Sequence, residues 1–200
     1  MGGLKKYLPV TFATFFMGTL AISGIPPFAG FFSKDEILAN AFAHHELVWI
    51  IAVLASLLTA FYMFRLFFLT FSGTSRASAE VQHHIHESPK SMTVPLVILA
   101  ALSVVGGFMG IPEVFGGSHA LDNFLAPVFA ASQNLAGERG HLSHELELIL
   151  MGVIIAFTVL MIFLAWNLYV RRRRVPAPEG VSLNPTHRLI YNKYYVDELY

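Results

Sequence analysis

The chain has 200 residues, 55% hydrophobic and 13% charged, with a formal net charge of zero and a mean hydropathy of +0.59. Soluble domains carry about 25% charged residues; this chain has roughly half that, and its apolar residues stand in long blocks, which points to a membrane protein. Zero net charge gives no footing for a nucleic-acid partner, and the absence of cysteine excludes a disulfide framework, a thiolate metal site and a cysteine-held iron–sulfur cluster.

The start, Met1-Gly2-Gly3, lacks the layout of a signal peptide, because the first apolar run is too long and no small-residue cleavage site follows it. That run begins at Leu8 and reaches Phe32. Pro26-Pro27, between Gly24 and Gly30, interrupts it, and Lys34-Asp35-Glu36 follows at once. Prolines break the helical ladder and free backbone carbonyls. In a membrane such a break persists only where protein or a water-filled cavity satisfies the freed groups. The pattern predicts a first span over about 8–43, broken at Pro26-Pro27.

A second span is expected over 47–71, with Arg65 as its one charge, and a third over 92–111. Ser88-Pro89 is placed to start the third helix, serine as cap and proline at the first position. Gly106-Gly107, Gly110 and Pro112 end it. The loop that follows holds Leu121 to Phe129, the pattern of a short interfacial helix. The fourth span is expected over 146–170, with Ser143 as cap and Glu145 and Glu147 complementing its positive dipole end. Arg171 to Arg174 close it, an orientation anchor drawn to anionic lipid. The fold class is therefore an all-α membrane protein. Residues 1–174 form a bundle of four transmembrane helices, and 175–200 a linker and an interfacial segment rich in tyrosine.

Lys5, Lys6, Arg76, Lys90 and Arg171 to Arg174 fall on one side of the predicted spans. By the positive-inside rule both chain ends are cytoplasmic. The expected location is the inner (cytoplasmic) membrane, with lipid as one partner and no nucleic acid.

Lys34 is the main candidate for chemistry, since an ionisable side chain beside an intramembrane break marks an ion pathway by default. The competing reading is a snorkelling interfacial lysine. Leu8 to Phe32 is roughly 37 Å of helix and alone crosses a 30 Å core. A break at mid-depth shortens that rise. Residues 34–43 then form a second half-helix of about 15 Å, with Lys34 below the exit surface. Burial and a nearby carboxylate pull the proton affinity of an amine in opposite directions, which suits a relay. Asp35 is a second candidate. Its alternative, shared with Glu36, is to complement the dipole of the half-helix. At the depth of Lys34, about 15 Å in, the second span presents Ser56 and Thr59, hydroxyls able to hold water, or else small residues that ease helix packing. Arg65 lies roughly 27 Å from Leu47, near the cytoplasmic interface, where an arginine snorkels. His83, His84 and His86 raise the question of zinc, but no cysteine supports it and no metal site is assigned.

Three stretches carry a family resemblance: Gly2 to Lys6 with Ile22 to Leu38; His86-Glu87-Ser88-Pro89 with Met92 and Pro95-Leu96; and Asn192 to Tyr200. Together they resemble the L subunit of NADH-quinone oxidoreductase, respiratory complex I, an antiporter-like proton-pumping protein. The resemblance implies a C-terminal portion of that longer protein: its second broken helix, three more helices and the start of a long lateral helix. It implies that Lys34 is a proton-relay group near the outward half-channel and that the partners are other membrane subunits of complex I. It also implies that no cofactor sits on this chain, because NADH oxidation and quinone reduction occur on other subunits. Related subunits of multisubunit cation/proton antiporters or membrane-bound hydrogenases are the nearest alternative. A purely structural membrane anchor is the alternative from another class. No dinucleotide fingerprint is present, since Gly106-Gly107-Phe108-Met109-Gly110 lies in a hydrophobic helix without its strand.

Overall fold

A computed structural model describes residues 2–110, 124–128, 143–173 and 185–195. The described residues form helices joined by turns. Five helices organise the bundle: α1 (Pro9–Ser23), α2 (Ala29–His44), α3 (Glu46–Phe71), α4 (Lys90–Val105) and α5 (His144–Trp166). Among the described residues, three stretches are long and apolar enough to cross a membrane: Glu46–Phe71, Lys90–Phe108 and Glu145–Arg171. Pro9–Ser23 is apolar but shorter.

The break has a local chemical cause. Pro9 suits the first turn of α1, where its missing N–H has no partner to lose. Gly24 ends the helix with φ 73°, a left-handed conformation that glycine adopts freely. Its N–H donates to the Ala21 carbonyl (3.1 Å) and the Ile25 N–H to the Leu20 carbonyl (3.3 Å), which closes the last turn. Pro26 and Pro27 are exposed and joined by a cis peptide bond. The chain turns helical again at Ala29. There Gly30 lets the new helix pass against the Ala21 carbonyl, where a side chain would collide. The interruption therefore spans Gly24 to Phe28, and the two half-helices overlap side by side.

Packing starts from phenylalanine. Phe12 and Phe16 of α1 meet Phe67 of α3 at ring-centroid distances of 5.3 and 5.2 Å, and Phe12 meets Phe71 at 5.4 Å. Each such pair adds about 1 kcal/mol beyond the apolar area it buries. At the other face α3 packs most extensively on α5; Ala60 and Ala165 are wholly buried, and small residues allow close helix approach. Behind α2, Gly107 follows α4 in a 3-10 turn over Gly106–Gly110. A Cβ on Gly107 would lie 2.8 Å from Phe32 Cδ2 and 2.9 Å from Ala29 Cα, so glycine is what admits the start of α2.

Near the start of α1 two connections tie it to other segments. The Gly3 N–H donates to the Ser72 carbonyl (3.1 Å), and the Glu87 carboxylate caps the first turn of α1.

Two expected caps are absent. Ser88 does not cap α4; the N-cap is Pro89 and has no side-chain bond, while the Ser88 N–H is itself held by Glu87 Oε1 at 3.2 Å. Ser143 stands at the N-cap of α5, but its hydroxyl makes no capping bond. The end of α5 differs as well. The α-helix stops at Trp166 and widens to a π-helical turn over Asn167–Arg171, which takes in the first residue of the arginine run. Of the expected interfacial helix at 121–129, residues 124–128 are helical and the rest lie outside the described residues. In the tail, Pro185–Tyr191 is helical and Lys193–Tyr195 forms a 3-10 turn; 175–184 and 196–200 lie outside the described residues.

Candidate functional site

Lys34 is the sixth residue of α2, just past the break. Its stem runs beside Gly24, where an added Cβ would sit 3.2 Å from Lys34 Cδ. The ammonium Nζ lies 3.5 Å from Ser56 Oγ on α3, at the long limit of a hydrogen bond. The side chain is half-buried and faces a cavity whose polar walls are Ser23 and Gly24 of α1, Asp35 of α2, Ser56 of α3 and Thr158 of α5. Four helices thus converge where α1 gives way to α2. Ser23 is 1% exposed and its Oγ has no hydrogen-bond partner. A buried hydroxyl in that state loses stability unless water or another polar group meets it.

Asp35 is buried, 8% exposed. It also lines a second cavity, with Trp49 of α3 and Glu147 of α5. Its Oδ2 and the Trp49 Nε1 are both buried and have no hydrogen-bond partner. Glu36, one residue on, is exposed; its carbonyl accepts from Asn40 Nδ2 at 2.9 Å.

Of the candidates read from the sequence, Lys34, Asp35 and Ser56 come together. Pro26 and Pro27 stand at the break without lining the cavity. The Thr59 hydroxyl donates to its own helix at the Ala55 carbonyl (2.7 Å) and does not line it either. Arg65 is exposed, with its guanidinium over the Tyr169 ring at 5.5 Å from the centroid. Ser23, Thr158, Trp49 and Glu147 enter only through packing. Glu147 carried a weak signal, an acid in the first turn of an apolar helix, which the dipole alone explains.

The arrangement brings titratable groups and hydroxyls together around one cavity. Lys34 is the one amine among the lining residues, Asp35 is the adjoining carboxyl, and the hydroxyls of Ser23, Ser56 and Thr158 are neutral groups able to hold water between them. Among the described residues no three histidine, aspartate or glutamate side chains are grouped to hold a metal ion.

Residues 1–61, which contain the break, Lys34 and Ser56, match the family described as NADH:quinone oxidoreductase/Mrp antiporter, TM. The whole chain is 41% identical to NAD(P)H-quinone oxidoreductase chain 5 of Picosynechococcus sp., covering 32% of that protein. It is 38% identical to the chloroplastic NAD(P)H-quinone oxidoreductase subunit 5 of Nephroselmis olivacea, covering 30%. It is 33% identical to NADH-quinone oxidoreductase subunit L of Neisseria meningitidis serogroup B, covering 33%. The chain spans about a third of the length of these relatives. Aligned over its full extent with each of them, the chain is a homologue of the chain 5 and subunit L proteins of NAD(P)H-quinone oxidoreductase.

Proposed function

We propose that the chain is part of the antiporter-like, proton-translocating membrane subunit of an NADH:quinone oxidoreductase, and that Lys34 carries a proton within it. The supporting observation is the position of the Lys34 amine: at a helix break, 3.5 Å from the Ser56 hydroxyl, in a cavity lined also by the unpartnered Ser23 hydroxyl. A lysine that merely snorkelled would reach for the interface and would not share a cavity with buried hydroxyls of neighbouring helices.

In this reading α1 and α2 together make a fourth crossing beside the three long apolar stretches, and the chain ends lie on the cytoplasmic side of the inner membrane. Asp35 stands next to Lys34 as the second relay group. Redox chemistry belongs to other subunits of the complex, which are also the partners that cover this bundle. Coupling requires that a charge or structural change in a neighbouring subunit alter the proton affinity of the Lys34 amine.

The test is Lys34→Ala in the full-length protein within the whole complex, reconstituted in proteoliposomes. The expected result is a lowered number of protons moved per NADH, with electron transfer to an artificial acceptor largely retained. Unchanged stoichiometry overturns the reading. The antiporter half of the family description motivates a parallel assay with sodium gradients; sodium-dependent pumping would move the reading to a cation/proton antiporter.

A further inference from the structure

From the cavity shared by α2, α3 and α5 we infer that Glu147 is the proton acceptor that follows Asp35, reached through water held beside the Trp49 indole. This rests on the relay reading of Lys34 and extends it by one named group.

Three observations meet at this place. Asp35 is 92% buried (8% exposed), yet its Oδ2 has no hydrogen-bond partner. The Trp49 Nε1 is buried and likewise unpartnered. Glu147 comes from another helix, is half-buried, and lines the same cavity as both. An indole N–H can only donate and a carboxylate can only accept, so the two orphaned atoms are complementary. A buried water needs two to four polar partners, and Asp35, Trp49 and Glu147 supply them.

The charged groups beside Asp35 are Lys34 and Glu36 on its own helix and Glu147 on α5; from α3 the neighbouring polar groups are Ser56 and Trp49. Asp35, Leu38 and Ile154 line both cavities, and Asp35 is the one polar side chain of the three, so it is the titratable group common to Lys34's cavity and Glu147's. The step balances without an oxidant or reductant. The Asp35 O–H bond breaks, the water passes a proton on, and an O–H bond forms on the Glu147 carboxylate. Glu147 lies in the first turn of α5, so the next acceptor is water at that end of the bundle.

The experiment uses the whole complex in proteoliposomes with Glu147→Gln, Glu147→Asp, Trp49→Phe and Lys34→Ala. Two readouts are taken: protons moved per NADH, and the infrared carbonyl stretch assigned to the Asp35 carboxyl by its loss in Asp35→Asn. The expected result is loss of pumping in Glu147→Gln, its recovery in Glu147→Asp, and a shift of the Asp35 band in Trp49→Phe. Normal pumping in Glu147→Gln overturns the inference, even if Lys34→Ala fails to pump and the lysine reading stands. Should Glu147→Gln not assemble, Trp49→Phe decides: an Asp35 band and a pumping ratio both unmoved overturn the inference. Lys34→Ala pumping normally defeats the lysine reading, and with it the route through Asp35.

Discussion

The Thr11 hydroxyl donates to Glu87 Oε1 at 2.6 Å, joining residues that lie 76 positions apart. The other carboxylate oxygen accepts the Val10 N–H at 2.7 Å and the Thr11 N–H at 3.3 Å. Glu87 thus fills the place of an N-cap that α1 lacks in its own sequence, where Leu8 has no side-chain bond to offer. Burial pushes the Glu87 carboxyl up, but hydrogen bonds from the Thr11 side chain and the Val10, Thr11 and Ser88 N–H groups outweigh it, and the net shift is downward.

Replacing Glu87 with Ala should destabilise the first turn of α1 by about 1 kcal/mol, the usual worth of a cap. The check is hydrogen exchange at the amides of Val10 and Thr11 in the whole complex, which should lose protection selectively. The pH dependence has a definite sign. A carboxyl lowered on folding adds stability that is full above its ordinary value of 4.5 and is lost as the pH falls through the lower folded value. Protection at these amides in the wild type should therefore weaken only in acid, and in Glu87→Gln it should be low at every pH.

Gly24→Ala tests the coupling of the break to the amine. The left-handed φ of 73° alone makes alanine costlier by roughly 1–2 kcal/mol. The added methyl also presses on the Lys34 stem, with Cδ at 3.2 Å. Proton pumping should fall although no titratable group has changed, with electron transfer to an artificial acceptor retained.

Gly30→Ala should be harsher, since its methyl meets the Ala21 carbonyl, which is backbone and cannot swing away. Overpacking of this kind costs about 1–3 kcal/mol. The expected outcome is poor assembly of the complex, read as its yield after solubilisation.

Ser56 and Thr59 give a paired test. Ser56→Ala removes the hydroxyl 3.5 Å from the Lys34 amine. A contact that long is weak, so the loss should be under about 1 kcal/mol, and pumping should fall by less than in Lys34→Ala. Thr59→Ala removes only a bond to its own helix and should pump normally. Both are read as protons per NADH in proteoliposomes.

Much of this bundle was legible because its causes are local. The α1–α2 break follows from Gly24, Pro26 and Pro27, and the run of α3 from an unbroken apolar stretch. The expected range 47–71 compares with Glu46–Phe71 in the structure. The caps failed for an equally physical reason. Ser143 stands at its N-cap and Ser88 one residue before the Pro89 N-cap, but a serine near a helix start signals only a local bond, and nothing local reveals that Glu87 turns instead to α1. The site divides in the same way. Lys34 and Ser56 could be matched by counting helical rise, because both belong to neighbouring helices separated by one short turn. Glu147 meets Asp35 only through the packing of α5 against α2 and α3, more than a hundred residues further along the chain, and Trp49 of α3 joins them because it lines the same cavity. Thr59 shares the depth of Ser56 but faces elsewhere, since rise fixes height and leaves rotation about the axis open.

The ties at the start of α1 have a mechanical implication. One end of this rod is clamped from two directions, by Ser72 through Gly3 and by Glu87, while the other finishes in glycine, prolines and an interrupted ladder. Any rocking of α1 then has its fulcrum at the clamp and its widest swing at Ser23 and Gly24. Those are the two residues of that rod that flank the Lys34 amine, so a small tilt is delivered as leverage on a single charge.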